Sequence, residues 1–332
     1  MTDDPRTPAR TLAGTDIDPG RLGVGTWAWG DSSTWGMGSY DTDLNIDTIR
    51  EAFAACLDAG VVLFDTAEVY GNGESERIIG SLLRDLPAGR PRPVLATKFM
   101  PSPWKLNVKS ALRSALEASL ERLGVDHVDL YQIHGPISLR GHGALAEALA
   151  EVHADGLTRA VGVSNYSIKE TRSMAAQLSQ RGVALATNQV EFSLLRRMPE
   201  TGGLLAACAE LGVTLLAYSP IGQGRLTGKY SAANPPPGKR NFSSHPMSEI
   251  DPIVATLRAV GEAHDGATPS QVALAWIMAK GAIPIPGAKN GPQATDNAGA
   301  LTCHLTPDEV ARLDAVALEG KRSLALRVWQ HG

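Results

Sequence analysis

Four residues stand out for the chemistry they could do together: Asp65, Tyr70, Lys98 and His134. A phenol with an ordinary pKa of about 10 gives up its proton poorly at neutral pH. An ammonium beside it stabilises the phenolate and lowers that pKa, and a carboxylate keeps a partly buried ammonium charged. A neutral imidazole can donate a hydrogen bond to a carbonyl oxygen and hold it near the phenol. Such a set would protonate an oxygen, through Tyr70, while something else attacks the carbon. Each residue also has a plainer reading: Asp65 as a turn cap, Tyr70 as a loop aromatic, Lys98 as a solvated strand-end charge, His134 as a turn residue before Gly135-Pro136. Their placement at successive strand ends is what argues for catalysis.

The elements that must position them show as β-rich runs alternating with helix-period segments. Strands are predicted over Leu22–Trp27, Val61–Asp65, Val94–Lys98, Val128–His134, Ala160–Asn165, Ala186–Glu191, Thr214–Ser219 and Ala282–Pro286. Helices are predicted over Ile46–Ala59, with Ile46, Ile49, Phe53, Cys56 and Leu57 on one face, and over Val108–Leu123, stopped by Gly124. Thr268-Pro269 and Thr306-Pro307 read as N-caps followed by proline, and Thr306 with Glu309 as a capping box. Unbroken alternation implies a parallel sheet, open or closed. Eight strands favour a (β/α)₈ barrel of one domain over 16–332, preceded by a flexible tail over 1–15. In a barrel the strand ends converge on one rim, where the loops Gly30–Asn45, Met100–Leu106 and Ile221–Ile250 and the segment after Gly320 would shape the site.

Other chemistries find less support. The 332-residue chain has a formal net charge of −4 and no Lys/Arg run, which argues against nucleic acid. Its three cysteines, Cys56, Cys208 and Cys303, are far apart and odd in number. No Cys/His spacing suits a metal, so a reducing, cytoplasmic setting without metal is expected. No apolar run is long enough to span a bilayer. Gly71-Asn72-Gly73 imitates a dinucleotide fingerprint, but Glu76 replaces the third glycine, and the acidic first turn suits a helix dipole better than a pyrophosphate.

The strings around the four residues resemble the aldo-keto reductase superfamily. Phe64-Asp65-Thr66-Ala67-Glu68-Val69-Tyr70-Gly71 is similar to its N-terminal signature, Ala96-Thr97-Lys98 to its lysine strand and Asp129-Leu130-Tyr131-Gln132-Ile133-His134 to its histidine strand. Gly162-Val163-Ser164-Asn165 is similar to its cofactor-amide contact. The resemblance runs from about Leu22 to about Val316 and is nearest to the bacterial, plant and potassium-channel β-subunit-like branch. It implies a catalytic tetrad of Asp65, Tyr70, Lys98 and His134 and direct hydride transfer from NADPH (NADP+ in the reverse sense). Cofactor contacts are implied at Gly25, Thr26, Trp27 and Asp65. Ser164, Asn165 and Gln189 would meet the carboxamide, and Tyr218 the nicotinamide ring. Ser219, Pro220, Gly222, Gly224, Lys229 and Arg240 would meet the pyrophosphate, with Gly287, Lys289, Gln293, Asp296 and Asn297 at the adenosine. Lys289 would favour a 2′-phosphate, less sharply than the arginine of many relatives. Substrate contacts are expected from Tyr70 and His134, and from Trp29 and Trp104 as aromatic walls, with Trp35 a weaker candidate. The implied reaction is reduction of an aldehyde or ketone by a monomer or homo-oligomer. The alternative is an NADPH-binding redox-sensing subunit with weak reductase activity.

Overall fold

All eight strands form, and they are parallel throughout. They are β1 (Gly23–Gly25), β2 (Leu63–Asp65), β3 (Val94–Phe99), β4 (Val128–Ile133), β5 (Thr158–Ser164), β6 (Leu185–Glu191), β7 (Thr214–Tyr218) and β8 (Ile283–Pro284). The computed structural model describes residues 11–30, 44–237 and 245–320. Sheet order follows chain order from β1 to β8. The Gly25 amide donates to the Pro286 carbonyl at 3.0 Å, which brings β8 back to β1. The sheet is therefore a (β/α)₈ barrel and not an open, doubly wound sheet.

Strand periodicity sorts the barrel interior into layers. Leu63, Ala96, Leu130, Ala160, Leu216 and Ile285 form an apolar floor with Ala186, Leu12 and Ile17. Two residues farther along each strand the same face carries Asp65, Lys98, Gln132, Gly162, Tyr218 and Gly287. The pairing of β5 with β6 slips between Val161 and Gly162, and above that slip Thr187 and Gln189 turn inward. The apolar layer thus ends where the polar one begins, at the C-terminal mouth.

The expected tail over 1–15 overlaps this core. Residues 12–17 make a turn, the Leu12 amide donating to the Ile17 carbonyl, and Leu12 is buried in the barrel floor. The predicted first strand is shortened as well. Trp27 opens a single helical turn, Trp27–Gly30, because the Trp29 amide bonds back to the Thr26 carbonyl. The helix Ile46–Asp58 starts with a capping box between Asn45 and Thr48 and buries Ile49, Ala52, Phe53 and Cys56. Ile46, expected on that face, is 41% exposed in the first turn. The helix Val108–Leu123 ends as expected at left-handed Gly124, and Thr268 and Thr306 both close capping boxes, the former with Gln271. After the helix Pro307–Val316 the chain straps back over the β6 exit, with Leu318 donating to Leu194 and Arg197 to Leu318.

If the floor needs Leu12, then Leu12→Ala should destabilise the protein by about 2–5 kcal/mol, the range for a buried leucine truncated to alanine. Leu106→Ala, at a side chain 57% exposed, should stay within about 0.5 kcal/mol of the parent. Urea midpoints measure both, and equal midpoints would exclude the floor role.

Candidate active site

Asp65 closes β2 and Lys98 sits near the end of β3, both fully buried, with Lys98 Nζ 2.5 Å from Asp65 Oδ2. Lys98 also donates to the Thr66 carbonyl at 2.8 Å and to Tyr70 Oη at 3.4 Å. His134 lies one residue beyond β4, its amide tied to the Phe99 carbonyl. Its ring meets that of Tyr70 edge-on, centroids 5.6 Å apart. The four side chains thus converge at the barrel mouth.

Tyr70 is on a loop, and its position depends on close backbone packing. Gly71 has a φ of +57°, and a Cβ there would lie 1.8 Å from the Gly30 carbonyl oxygen, so only glycine lets the loop rest on the Trp27–Gly30 turn. Beneath this crossing the Ser75 hydroxyl joins Thr26 Oγ1 at 2.8 Å and Thr66 Oγ1 at 2.9 Å. Glu68 fixes the other side, accepting from the Met100 amide and pairing with Lys105.

Burial decides the protonation states. It pushes the Tyr70 phenol well above its usual range, and the charge of Asp65 adds to the effect. The sequence suggested a phenol made more acidic by Lys98; here Tyr70 keeps its proton at neutral pH, with the ammonium placed to stabilise the phenolate once the proton leaves. Burial also lowers Lys98, opposed by the charge and hydrogen bond of Asp65 and the charge of Glu76. Burial, then the charge of Lys98, holds His134 well below its ordinary value, so it is a neutral imidazole.

A cavity of about 580 Å³ opens over this group, within the ordinary range of small-molecule sites. Of the expected residues, Gly25, Trp27, Asp65, Tyr70 and His134 line it, as do Ser164, Asn165, Gln189, Tyr218, Ser219, Pro220, Gly224, Lys229, Gly287, Lys289, Gln293, Asp296 and Asn297. Lys98 lies behind Asp65 and Tyr70, away from the wall. Thr26 does not face the cavity: its hydroxyl is engaged by the Asp65 carbonyl and Ser75. Gly222 is buried against Leu195. Trp29 does not form a pocket wall either. It is buried, stacks near Phe64 and donates Nε1 to the Ala288 carbonyl at 2.6 Å, bracing the seam between β1 and β8. Trp104 is 78% exposed and outside the lining. Arg240 and Trp35 lie outside the described residues.

The lining also includes residues that the sequence did not assign to the site, Ala28, Thr227, Tyr230, Thr268, Pro269, Ser270 and Ile285, while Ile221 and Gln223 fall within the Ser219–Gly224 segment expected at the pyrophosphate. Thr268 was readable only as a helix cap; the return of its loop to the mouth is tertiary information. Asn165, Ser219 and Gln223 line the cavity with left-handed φ values of 63°, 50° and 54°. Such backbone costs about 1–3 kcal/mol per residue and concentrates at ligand sites.

The chemistry of the wall suits a nicotinamide dinucleotide. Amides of Asn165 and Gln189 and the Ser164 hydroxyl cluster beside the Tyr218 ring, whose hydroxyl donates to Asn165 Oδ1 at 3.0 Å. Lys229 and Lys289 add positive charge to the lining of the same cavity. Among the described residues, no group of three or more His, Cys, Asp or Glu is placed to hold a metal ion, and no helix is long and apolar enough to cross a membrane.

Comparison with known proteins agrees with this geometry. The Aldo/keto reductase family profile matches residues 21–318. The chain is 38% identical over 322 residues to the chloroplastic pyridoxal reductase of Arabidopsis thaliana, covering 93% of this chain and 86% of that one. It is 30% identical over 330 residues to the NADH-specific methylglyoxal reductase of Escherichia coli, covering 92% and 97%. A crystal structure of an aldo/keto reductase from Klebsiella pneumoniae in complex with NADP and acetate superposes with a TM-score of 0.69 at 29% identity, over 91% of this chain and 93% of that one. With its closed barrel, its convergent Asp65, Tyr70, Lys98 and His134, and a profile match over nearly its whole length, the chain belongs to the aldo/keto reductase family and is an oxidoreductase.

Proposed function

We propose that this protein reduces aldehydes or ketones to alcohols with NADPH, using Tyr70 as the general acid. One observation carries the reading: a protonated, half-buried Tyr70 stands 3.4 Å from an ammonium that is itself paired with Asp65, on the wall of a cavity shared with His134 and the Asn165–Gln189 amides. When bound, the nicotinamide would supply hydride to the carbonyl carbon. The chain's own residues do the rest. Neutral His134 donates a hydrogen bond that holds the carbonyl oxygen towards Tyr70. Tyr70 gives that oxygen its proton, and the resulting phenolate is stabilised by Lys98, whose charge Asp65 maintains. Ser164, Asn165 and Gln189 would hold the carboxamide and Tyr218 would lie against the ring. Lys229 and the Ser219–Gly224 loop would meet the pyrophosphate. Lys289, with Gln293, Asp296 and Asn297, would take the adenosine end and favour the 2′-phosphate of NADPH.

The NADP-bound relative supports that cofactor preference, while the NADH-specific relative makes it a point for measurement. A lysine gives a point charge and no bidentate fork, so the preference should be moderate. The three cysteines are all unpaired and buried, which supports a reducing, cytoplasmic setting.

Tyr70→Phe should lower carbonyl reduction by about 10²–10⁴-fold, the usual contribution of general acid catalysis, with NADPH binding retained. Full turnover across an aldehyde panel would remove Tyr70 from its role. Lys289→Glu should weaken NADPH binding by about tenfold or more, the scale of a charged hydrogen bond, and leave NADH binding nearly unchanged. Fluorescence titrations with both cofactors measure this, and an equal loss for both would refute the 2′-phosphate assignment. His134 gives a third expectation. Its folded-state pKa is depressed, so unfolding in acid takes up a proton. Its contribution to stability is complete above about pH 6.5 and declines as the pH falls towards the lower folded value. Between pH 7.5 and 5.5 the parent should therefore lose more stability than His134→Gln, as read from denaturant midpoints.

A further inference from the structure

Asp65 has a second oxygen, and what surrounds it is not explained by the four reacting residues. Oδ1 accepts from Gln189 Nε2 at 2.8 Å and from Gln132 Nε2 at 3.2 Å, while Oδ2 takes Lys98. Gln132 is wholly buried in β4, two residues before His134. Its carbonyl Oε1 accepts from Thr187 Oγ1 at 3.2 Å. That contact fixes the amide, because the flipped orientation would set Oε1 against the Asp65 carboxylate. The neighbouring strand leaves room for the arrangement. A Cβ at Gly162 would lie 2.1 Å from Thr187 Oγ1 and 3.0 Å from Gln132 Cγ, so only hydrogen fits there. A glutamine inside a barrel, its two ends satisfied and a glycine opposite, is a built feature. An apolar residue would fill the same space without the donor.

We propose that Gln132 is a positioning residue for the reaction centre: anchored by Thr187, its amide caps Asp65 Oδ1, so that Asp65 stays ionised and Lys98 stays an ammonium beneath Tyr70. The inference deepens the reductase reading in one respect. On that reading Gln189, on the cavity wall, divides its amide between the cofactor carboxamide and Asp65 Oδ1. Gln132, away from the wall, is the donor committed to Oδ1 alone. A carboxylate buried to this degree and stripped of donors becomes more basic. The nearest proton is on Lys98 Nζ, 2.5 Å from Oδ2. Its transfer would turn the ion pair into a neutral acid and a neutral amine, with no net charge gained or lost, and the amine could no longer stabilise a Tyr70 phenolate. Burial already presses Lys98 towards its neutral form, so the margin rests on what keeps Asp65 charged. Besides the Thr66 carbonyl, the other groups acting on Lys98 are Tyr70 from the β2 loop, His134 just beyond β4 and Glu76 from the helix Glu74–Arg84. Glu76 is itself held by Arg122 and Thr97. None of these replaces a donor on Oδ1.

The test is direct titration of Lys98 in the cofactor-free protein by NMR of ¹⁵N-lysine-labelled samples, with the signal assigned through its loss in Lys98→Arg. Gln132→Met keeps the volume and removes the donor. It should lower the Lys98 midpoint by about one pH unit, the scale of one hydrogen bond to a charged group. Its kcat should fall by about tenfold, with KM for the carbonyl and NADPH affinity within about twofold of the parent. Thr187→Val, which frees the Gln132 amide without removing it, should move the midpoint the same way by less, and carries the test if Gln132→Met does not fold. An unchanged midpoint in a folded variant, or a loss of kcat with no change in the midpoint, overturns the proposal. The titration does not depend on the functional reading. A shifted midpoint in a protein whose Tyr70→Phe variant reduces carbonyls at full rate would keep the role of Gln132 at Asp65 and discard Tyr70 as the acid.

Discussion

The structure is organised around one buried ion pair. Taking a carboxylate and an ammonium out of water costs several kcal/mol for each ion, and their attraction offsets this only where the remaining lone pairs and protons are satisfied. At Asp65 and Lys98 they are. Asp65 accepts from Lys98, Gln132 and Gln189, and Lys98 donates to Asp65, Thr66 and Tyr70. These partners come from β2, the loop after it, β3, β4 and β6. Only closure of the sheet brings them to one point. The pair is therefore a consequence of the barrel and also a reason for its polar upper layer: without it Gln132, Thr187 and Gln189 would be polar groups in a core that has no need of them.

The division of the interior into an apolar floor and a polar layer separates stability from chemistry. The floor residues, from Leu12 to Ile285, gain from burial alone and could be exchanged for other apolar groups of similar volume. The layer above is less exchangeable, because its donors and acceptors are matched to one another in a shared network. Three of the five non-glycine residues with left-handed backbone among the described residues lie at the cavity, the other two being Asn72 and Asp265. Left-handed φ values at Asn165, Ser219 and Gln223 occur on the cavity wall and not in the floor. The close crossing of Gly71 over Gly30 has the same character: it holds Tyr70 over the ammonium at the expense of any side chain at that position.

Much of this was legible in the sequence, for identifiable reasons. The eight strands could be read because parallel strands buried on both faces are apolar runs between strong helix signals, and the caps at Thr268 and Thr306 because capping is local. The convergence of Asp65, Tyr70, Lys98 and His134 could be anticipated because each sits at a strand end or in the loop just beyond one. Trp29 and Trp104 were misplaced for a common reason. Aromatic character says that a side chain will contribute area, but not against what. Trp29 is satisfied by the Ala288 carbonyl across the barrel seam, a contact between residues 259 apart, and Trp104 stays in solvent. Thr26 failed similarly, its hydroxyl being taken by Ser75 and the Asp65 carbonyl.

Gln132 shows where such reading could go further. It lies two residues before His134 and two after Leu130, so the strand period alone puts all three on one face. A polar side chain at that spacing, above the apolar Leu130, must find partners inside the barrel, and it finds them in Asp65 at the end of β2 and Thr187 in β6. The one fact the period could not supply is the slip between β5 and β6, which turns Thr187 and Gln189 inward together. Had the pairing stayed regular, the face of β6 that carries both Thr187 and Gln189 would have pointed away from the barrel interior. A single irregular step in the sheet thus brings an anchor for Gln132 and a second donor for Asp65 to the same layer, next to the space that Gly162 leaves open.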